Sequence, residues 1–459
     1  MRNYEVNMKS VVVGNIAEND VKRMDNEVLS EEWLGWLQAS NQISDRALFW
    51  EGDNKVVVTP RPFDRLWMDD MCQWLGWHNV ENICPQTTSY HICDDIMADR
   101  SMITDLHRRI SAAESVKLAS WGSTLGMNRL LENLQRAGNV YAPELLPDDR
   151  FDLGLKFDSK SEFRKLCEPL IAKHPQLRIP EGSVCESQAE LHQVVTEKFL
   201  NVSRPFVIKS GYRSGGSGVL IFRPQDLDKK KTEVIHQEID QWLSVSDFFP
   251  PPYIVEEFIR NDEHISSQLS YHGLVHPNGS VEKLGINGML IEKEGYKGAL
   301  IGDLLDPKYL QEVNEIANII GAAMAEQGYQ GRLNIDYVVS ESDELYTIEI
   351  NAGRRSGSVH VFELLNRLQA KNPSLTNVLT YDHFVLPVSG PLSYADIRPV
   401  FQNFRDNPPT FGCLYWPLIV SSLQNNTPYL GYMIIGPSYT ALSESKILLE
   451  QALIDQANS

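Results

Sequence analysis

The first 150 residues alternate between short apolar runs and stretches of helical periodicity. Ser10–Val13 reads as a buried strand that closes at Gly14 and Asn15, and residues 55–59 read as a second strand after the turn Gly52-Asp53-Asn54. Apolar residues then recur at helical spacing over 64–75, 102–110 and 126–136. Strands alternating with helices predict an α/β layer, a Rossmann-like half. No G-x-G-x-x-G follows the first strand, so the layer reads as a structural scaffold ahead of a dinucleotide site. Pro143, Pro147 and residues 148–150 mark a linker. After Lys371-Asn372-Pro373 the pattern changes, with strand-like runs at 378–380, 412–420 and 429–435 and a short helix at 440–452. The chain is thereby divided into residues 1–150, 151–370 and 371–459, the last a small α+β domain.

The clearest alternation lies in RLNIDYVVSESDELYTIEINAGRR, residues 332–355. Leu333, Ile335, Tyr337 and Val339 fall on one face of the first strand, and Arg332, Asn334 and Asp336 on the other. On the second strand Ile348 and Ile350 oppose Thr347, Glu349 and Asn351. A turn centred on Ser342 and Asp343 sets Asp336 directly across from Glu349. Opposed like charges destabilise a sheet, so the pair calls for a reason.

Two further stretches carry polar chemistry. FVIKSGYRSGGSGVLIF, residues 206–222, is a hairpin whose loop holds Gly211, Gly215, Gly216 and Gly218, with Lys209 on the strand before it. Glycines let backbone amides approach an oxyanion and tolerate positive φ. The order is not that of a Walker loop, and neither H-R-D nor D-F-G follows as in a kinase. PYIVEEFIRNDEH, residues 252–264, runs from a short strand at 253–255 into Glu256, Glu257 and Ile259. Such a connector offers an adenine an apolar slot with a backbone donor and acceptor, and Glu263 could take ribose hydroxyls. Lys160 opens a helix behind a capping box, Ser159-x-x-Glu162.

Composition limits the partners. The 459 residues are 42% hydrophobic and 22% charged, with 61 acidic and 42 basic side chains and a formal charge of −19. An acidic surface argues against nucleic acid or an anionic membrane as partner, and leaves any polyanionic ligand to a few placed cations. The six cysteines show no metal-binding spacing and predict reduced thiols in a cytoplasmic protein. No apolar run approaches a membrane span.

Taken in order, Lys160, Lys209 with its glycine loop, the 256–259 connector and the Asp336/Glu349/Asn351 hairpin resemble the ATP-grasp ligase superfamily over residues 151–370. The resemblance implies antiparallel sheets enclosing ATP, with Lys160 and Lys209 on its phosphates and the loop closing over them. Asp336, Glu349 and Asn351 would hold one or two Mg²⁺, with Mn²⁺ as a substitute; hard oxygens in a small set suit an ion that completes its shell with phosphate and water. It also implies activation of a carboxylate as an acyl phosphate, its capture by an amine or thiol, and an arginine on the oxyanion. The usual arginine two residues after the asparagine is here Gly353, so Arg354 takes that role, with Arg332 as the other candidate. The segments SVVVGN, FWEGDNKVVVTPRPFD and GYMIIGPSYTALSE resemble the flanking domains of the pheganomycin-type peptide ligases, including their pre-ATP-grasp domain. That resemblance implies a ligase joining amino acids or peptides in specialised metabolism. Loading of a carrier-protein thiol and nucleotide binding without turnover stand as alternatives, and a homodimer as an open assembly state.

Overall fold

Four buried residues, Ser10–Val13, form β1 at the centre of a parallel sheet. Its companions are β2 (Lys55–Val58), β3 (Val80–Ile83), β4 (Val116–Ser120) and β5 (Val140–Tyr141), and the order is β3-β2-β1-β4-β5. This is a Rossmann-like order, and it reverses between β1 and β4. A central parallel strand is covered on both faces, which is why its sequence is a continuous apolar run. The periodicities at 64–75, 102–110 and 126–136 become the helices Arg65–Leu75, Arg100–Ser111 and Leu125–Gln135. The computed structural model describes residues 8–22, 31–211, 218–245, 251–261, 265–292, 295–408 and 412–459. Among these, no helix is long and apolar enough to cross a membrane, and all six cysteines are free.

The chain makes two units. Unit 1 joins Met1–Phe151, Gly298–Leu304 and Gly353–Ser459, while unit 2 comprises Asp152–Lys297 and Leu305–Ala352. In unit 2, a small antiparallel sheet contains β6 (Gly182–Cys185), β7 (Phe206–Ser210), β8 (Val219–Phe222) and β9 (Tyr253–Glu257), in the order β6-β9-β7-β8. Phe206, Ile208, Phe222 and Val255 from the sheet pack with Leu191, Val195, Ile235 and Ile239 from helical segments. A larger antiparallel array holds β10 (Gln268–Val275) and β11 (Val281–Glu292). Further on, β12 (Gly295–Ile301) leads the chain into unit 1, which it leaves again at Leu305, and β13 (Gly331–Val339) and β14 (Leu345–Ala352) follow in unit 2. In unit 2 the order is β14-β13-β10-β11. The helix Pro307–Glu326 covers one face of that array, and comes so close that a Cβ on Gly321 would lie 2.5 Å from Val281.

In unit 1, β15 (Asn377–Val385) pairs with the end of β12 and with β17 (Tyr429–Gly436), and β17 with β16 (Leu414–Ile419). The three strand-like runs of the tail are therefore strands, and the final helix is longer than expected, Tyr439–Ala457. Tail and N-terminal segment share polar contacts made by the helical stretches beside the sheet. Arg398 grips Asp70 with two bonds of 2.7 and 2.8 Å, and Asp45 accepts from the backbone of Val420 and Ser421 at 2.8 and 2.7 Å. Arg355 is fully buried, reaching Glu144 at 2.8 Å, Glu363 at 3.1 Å and Glu51 at 3.4 Å, with the Trp50 ring 4.8 Å away. Those carboxylates hold its guanidinium protonated against the cost of burial.

Two local readings need correction. Ser159 starts the helix Lys160–Ile171, but its side chain makes no capping bond; its hydroxyl meets that of Ser161 at 2.9 Å, and Glu162 pairs with Lys165. In the 332–355 hairpin, Asp336 does oppose Glu349, yet Tyr337 opposes Thr347. A bulge between them turns Thr347 onto the core face beside Leu345, away from Glu349.

Thr347 is fully buried, and among the described residues its hydroxyl has no partner. Thr347→Val therefore raises stability by about 1 kcal/mol in chemical denaturation; a hydroxyl on the polar face would give a change within about 0.5 kcal/mol. Arg355→Met strands carboxylates in the interior and lowers the stability of unit 1 by about 3–5 kcal/mol. An earlier urea midpoint in tryptophan emission reads this, because Trp50 and Trp121 stack beside the cluster.

Candidate functional site

Asp336 and Glu349 face each other across β13 and β14, and the neighbours of each explain how both are tolerated. Lys160 Nζ lies 3.0 Å from Glu349 Oε2. Ser270 Oγ on β10 donates to Asp336 Oδ1 at 2.7 Å, and Asn351 Nδ2 donates to Asp336 Oδ2 at 3.1 Å. Asn351 also donates to Asn334 Oδ1 at 2.9 Å, and Asn334 donates to Ser270 Oγ at 2.6 Å. One polar row therefore crosses three strands, each member fixed by the next. Behind it, His272 meets Asn287 Oδ1 at 2.6 Å. Burial pushes His272 down to about 4, helped by the Arg332 charge and opposed by the bond to Asn287, so its ring is neutral at pH 7. Arg332 is buried on the same strand face as Asn334 and Asp336, as the alternation predicts.

These side chains suit a divalent cation. Among the described residues no three His, Cys, Asp or Glu side chains cluster as a closed metal cage. The set is instead two carboxylates and an amide, all oxygen donors, which fits Mg²⁺ and leaves most of its shell to other ligands. A tight cage would favour a larger or softer ion.

A second group lies on the small sheet of unit 2. The expected strand 253–255 continues through Glu256 and Glu257, so both glutamates belong to β9 and not to a connector. Glu256 is buried between two cations: Lys209 on β7 forms an ion pair with Oε1, and Arg164 Nη1 lies 3.4 Å from Oε2. Glu257 turns to Arg204, and it accepts from the Glu181 backbone at 2.9 Å. Ile259 follows the strand end, half-buried. Arg164 follows Lys160 by one helical turn, so a single helix serves both groups. The Lys160 backbone also donates to the Gly211 carbonyl at 2.9 Å, tying the helix start to the glycine loop. Gly218 ends that loop at φ 73°, a conformation that favours glycine, and Ser210 donates to its carbonyl. Gly215, Gly216 and Glu263 lie outside the described residues.

Arg354 belongs to unit 1, where it forms a β-bridge with Gly122, and its charge is felt by buried Asp20. Gly353 before it has φ 68°, which disfavours the arginine that the motif ordinarily carries there. Arg355 is committed to its three carboxylates. Sequence reading missed Arg164, Ser270, His272 and Asn287. A signal for two of them exists, since Ser270 and His272 alternate with apolar residues along β10.

No family model matches the chain, and no curated protein matches it in sequence. Solved structures do match. The ADP complex of N5-carboxyaminoimidazole ribonucleotide synthetase aligns over 99% of both chains with a TM-score of 0.53 at 12% identity. A biotin carboxylase complex with β,γ-ATP from Campylobacter jejuni aligns over 97% of this chain and 94% of its own, with a TM-score of 0.52 at 12% identity. At such identity the likeness speaks for the fold alone. A Rossmann-like sheet, a small antiparallel sheet carrying Lys209 and a larger one carrying Asp336 and Glu349 thus make up an ATP-grasp fold.

Proposed function

We propose that the protein is an ATP-dependent, ADP-forming ligase that joins a carboxylate to an amine through an acyl phosphate. The observation that carries this reading is the oxygen face of Asp336, Glu349 and Asn351 with Lys160 on Glu349. Lys209 adds a cation for the phosphates, and the glycine content of the sequence 211–218 suits a loop that lets backbone amides approach them. The nucleotides in the two similar structures support ATP as the substrate. Mg²⁺ held by Asp336, Glu349 and Asn351 would draw negative charge from the phosphates during transfer.

Lys160 and Lys209 bind and orient the phosphates, and Ser270 and Asn334 fix the carboxylate and amide that face them. A substrate carboxylate oxygen attacks the γ-phosphorus, and the bond to the β-phosphate oxygen breaks to leave ADP. An amine then attacks the acyl carbon, the amine proton leaves, and phosphate departs with the electron pair of the C–O bond. Arg354 is assigned to the oxyanion of that second step. The resemblance of the flanking segments supports amino acids or peptides as substrates.

A phosphate-release screen over pairs of amino acids, peptides and small carboxylic acids tests the reading, with products identified by mass. ADP and phosphate are expected, and hydroxylamine should trap a hydroxamate. With ¹⁸O in the carboxylate, one label should reach phosphate; label in AMP overturns the mechanism. Asp336→Asn and Glu349→Gln should abolish turnover with the fold intact by circular dichroism. Ser270→Ala, which removes the supporting bonds to Asp336 and Asn334 and no oxygen of the proposed metal face, should weaken the apparent Mg²⁺ affinity by about 10–100-fold. Near-normal ADP production in either carboxylate variant at saturating Mg²⁺ rejects the metal assignment.

A further inference from the structure

Unit 1 contains a cavity of about 240 Å³ beyond the carboxyl end of β2, lined by residues of the loop that follows β2 and of the tail. Ligands of open α/β sheets bind outside the carboxyl ends of strands. Arg61 supplies its positive charge. The Nη1 of Arg61 is buried without a hydrogen-bond partner, and among the described residues no carboxylate lies within ion-pair distance of this guanidinium. The guanidinium charge therefore has no counter-ion among the described residues, and a ligand carboxylate in the cavity would supply one. Asp64 lines the same cavity and supplies the negative charge. It also caps the helix Arg65–Leu75, accepting from the Trp67 backbone at 3.0 Å.

The rest of the lining is already committed. Ser421 gives its N–H and hydroxyl to Asp45, both at 2.7 Å, and Ser393 gives its own to Asp396 at 2.7 and 2.8 Å. Asp45, behind Ser421, feels the Arg61 charge, and burial pushes it up to about 6. Arg61, Asp64 and the exposed Gln424 amide are therefore the groups left to face a ligand. A guanidinium grips a carboxylate in a two-bond fork, and a carboxylate accepts from an ammonium. A dianion would meet repulsion from Asp64 and Asp45, and a nucleotide exceeds the volume, since drug-sized ligands occupy roughly 300–1,000 Å³.

We propose that this cavity binds a small zwitterion, with its carboxylate on Arg61 and its ammonium on Asp64. The site stands independently of the ligase reading, because it is defined by binding and lies wholly within unit 1. Calorimetric titration of the full chain with glycine, β-alanine, acetate and methylammonium tests it. At least one zwitterion should bind, and each half-molecule should bind about tenfold more weakly or worse. Arg61→Gln and Asp64→Asn should each weaken the zwitterion by about tenfold or more. Asparagine caps a helix as well as aspartate, so Asp64→Asn should keep the wild-type melting temperature and carries the test if Arg61→Gln does not fold. Acetate binding as tightly as the zwitterions, and indifferent to Asp64→Asn, would replace the proposal with a simple anion site. Binding unchanged in both variants, or no binding by any of the four compounds, overturns it.

Discussion

Asp336 and Glu349 stand opposite each other on neighbouring strands, and the surroundings of unit 2 answer to that opposition. Left alone, the pair would push the hairpin apart, since two like charges stand directly opposite on one face. Lys160 takes one charge, and Ser270 and Asn351 spread the other over two hydrogen bonds. Each of those partners is itself placed by something else: Lys160 by its helix start against Gly211, Ser270 by Asn334, and Asn351 by the pairing of β13 with β14. A neutral His272 closes the row without adding a further charge. The energy stored in the opposed carboxylates is what makes a cation welcome.

The same logic, with the signs arranged differently, operates on the small sheet. There one carboxylate, Glu256, is shared by two cations, Lys209 and Arg164. An anionic ligand reaching Lys209 would compete with Glu256, and Arg164 keeps that carboxylate from being left alone when it does. Removing one partner from a buried ion pair is costly when nothing replaces it. The third member makes exchange of partners feasible.

Much of this was readable from the chain. β1 and β2 declared themselves because central parallel strands are apolar throughout, and the face of Asp336 followed from simple alternation. The bulge beside Thr347 did not, since a β-branched residue suits either face and period two gives no warning of where it slips. Charge hid the end of β9: Glu256 and Glu257 look like solvent-facing residues until Lys209, Arg164 and Arg204 arrive from elsewhere in the fold. The helix Tyr394–Asp406 escaped notice because Pro399 sits inside it, although Ser393 and Asp396 form a capping box at its start. The reading that set residues 371–459 apart followed their change in composition. The bonds of Asp45, Asp70 and Arg398 that tie this segment to N-terminal helical stretches join residues more than 300 apart, and no local pattern reports them.

Unit 1 is assembled from chain segments that leave the ribosome far apart in time. At about 5–20 residues per second, the roughly 300 residues after Phe151 take on the order of 15–60 s to synthesise. Until Arg355 emerges, Glu51 and Glu144 lack a guanidinium, and Asp45 waits still longer for Ser421. Unit 2, ending at Ala352, has all of its sequence earlier. The order of birth therefore favours a nascent chain whose inserted unit closes before the later segments of unit 1 have been made, with Lys117 as the interim counter-ion for Glu51 and Glu144.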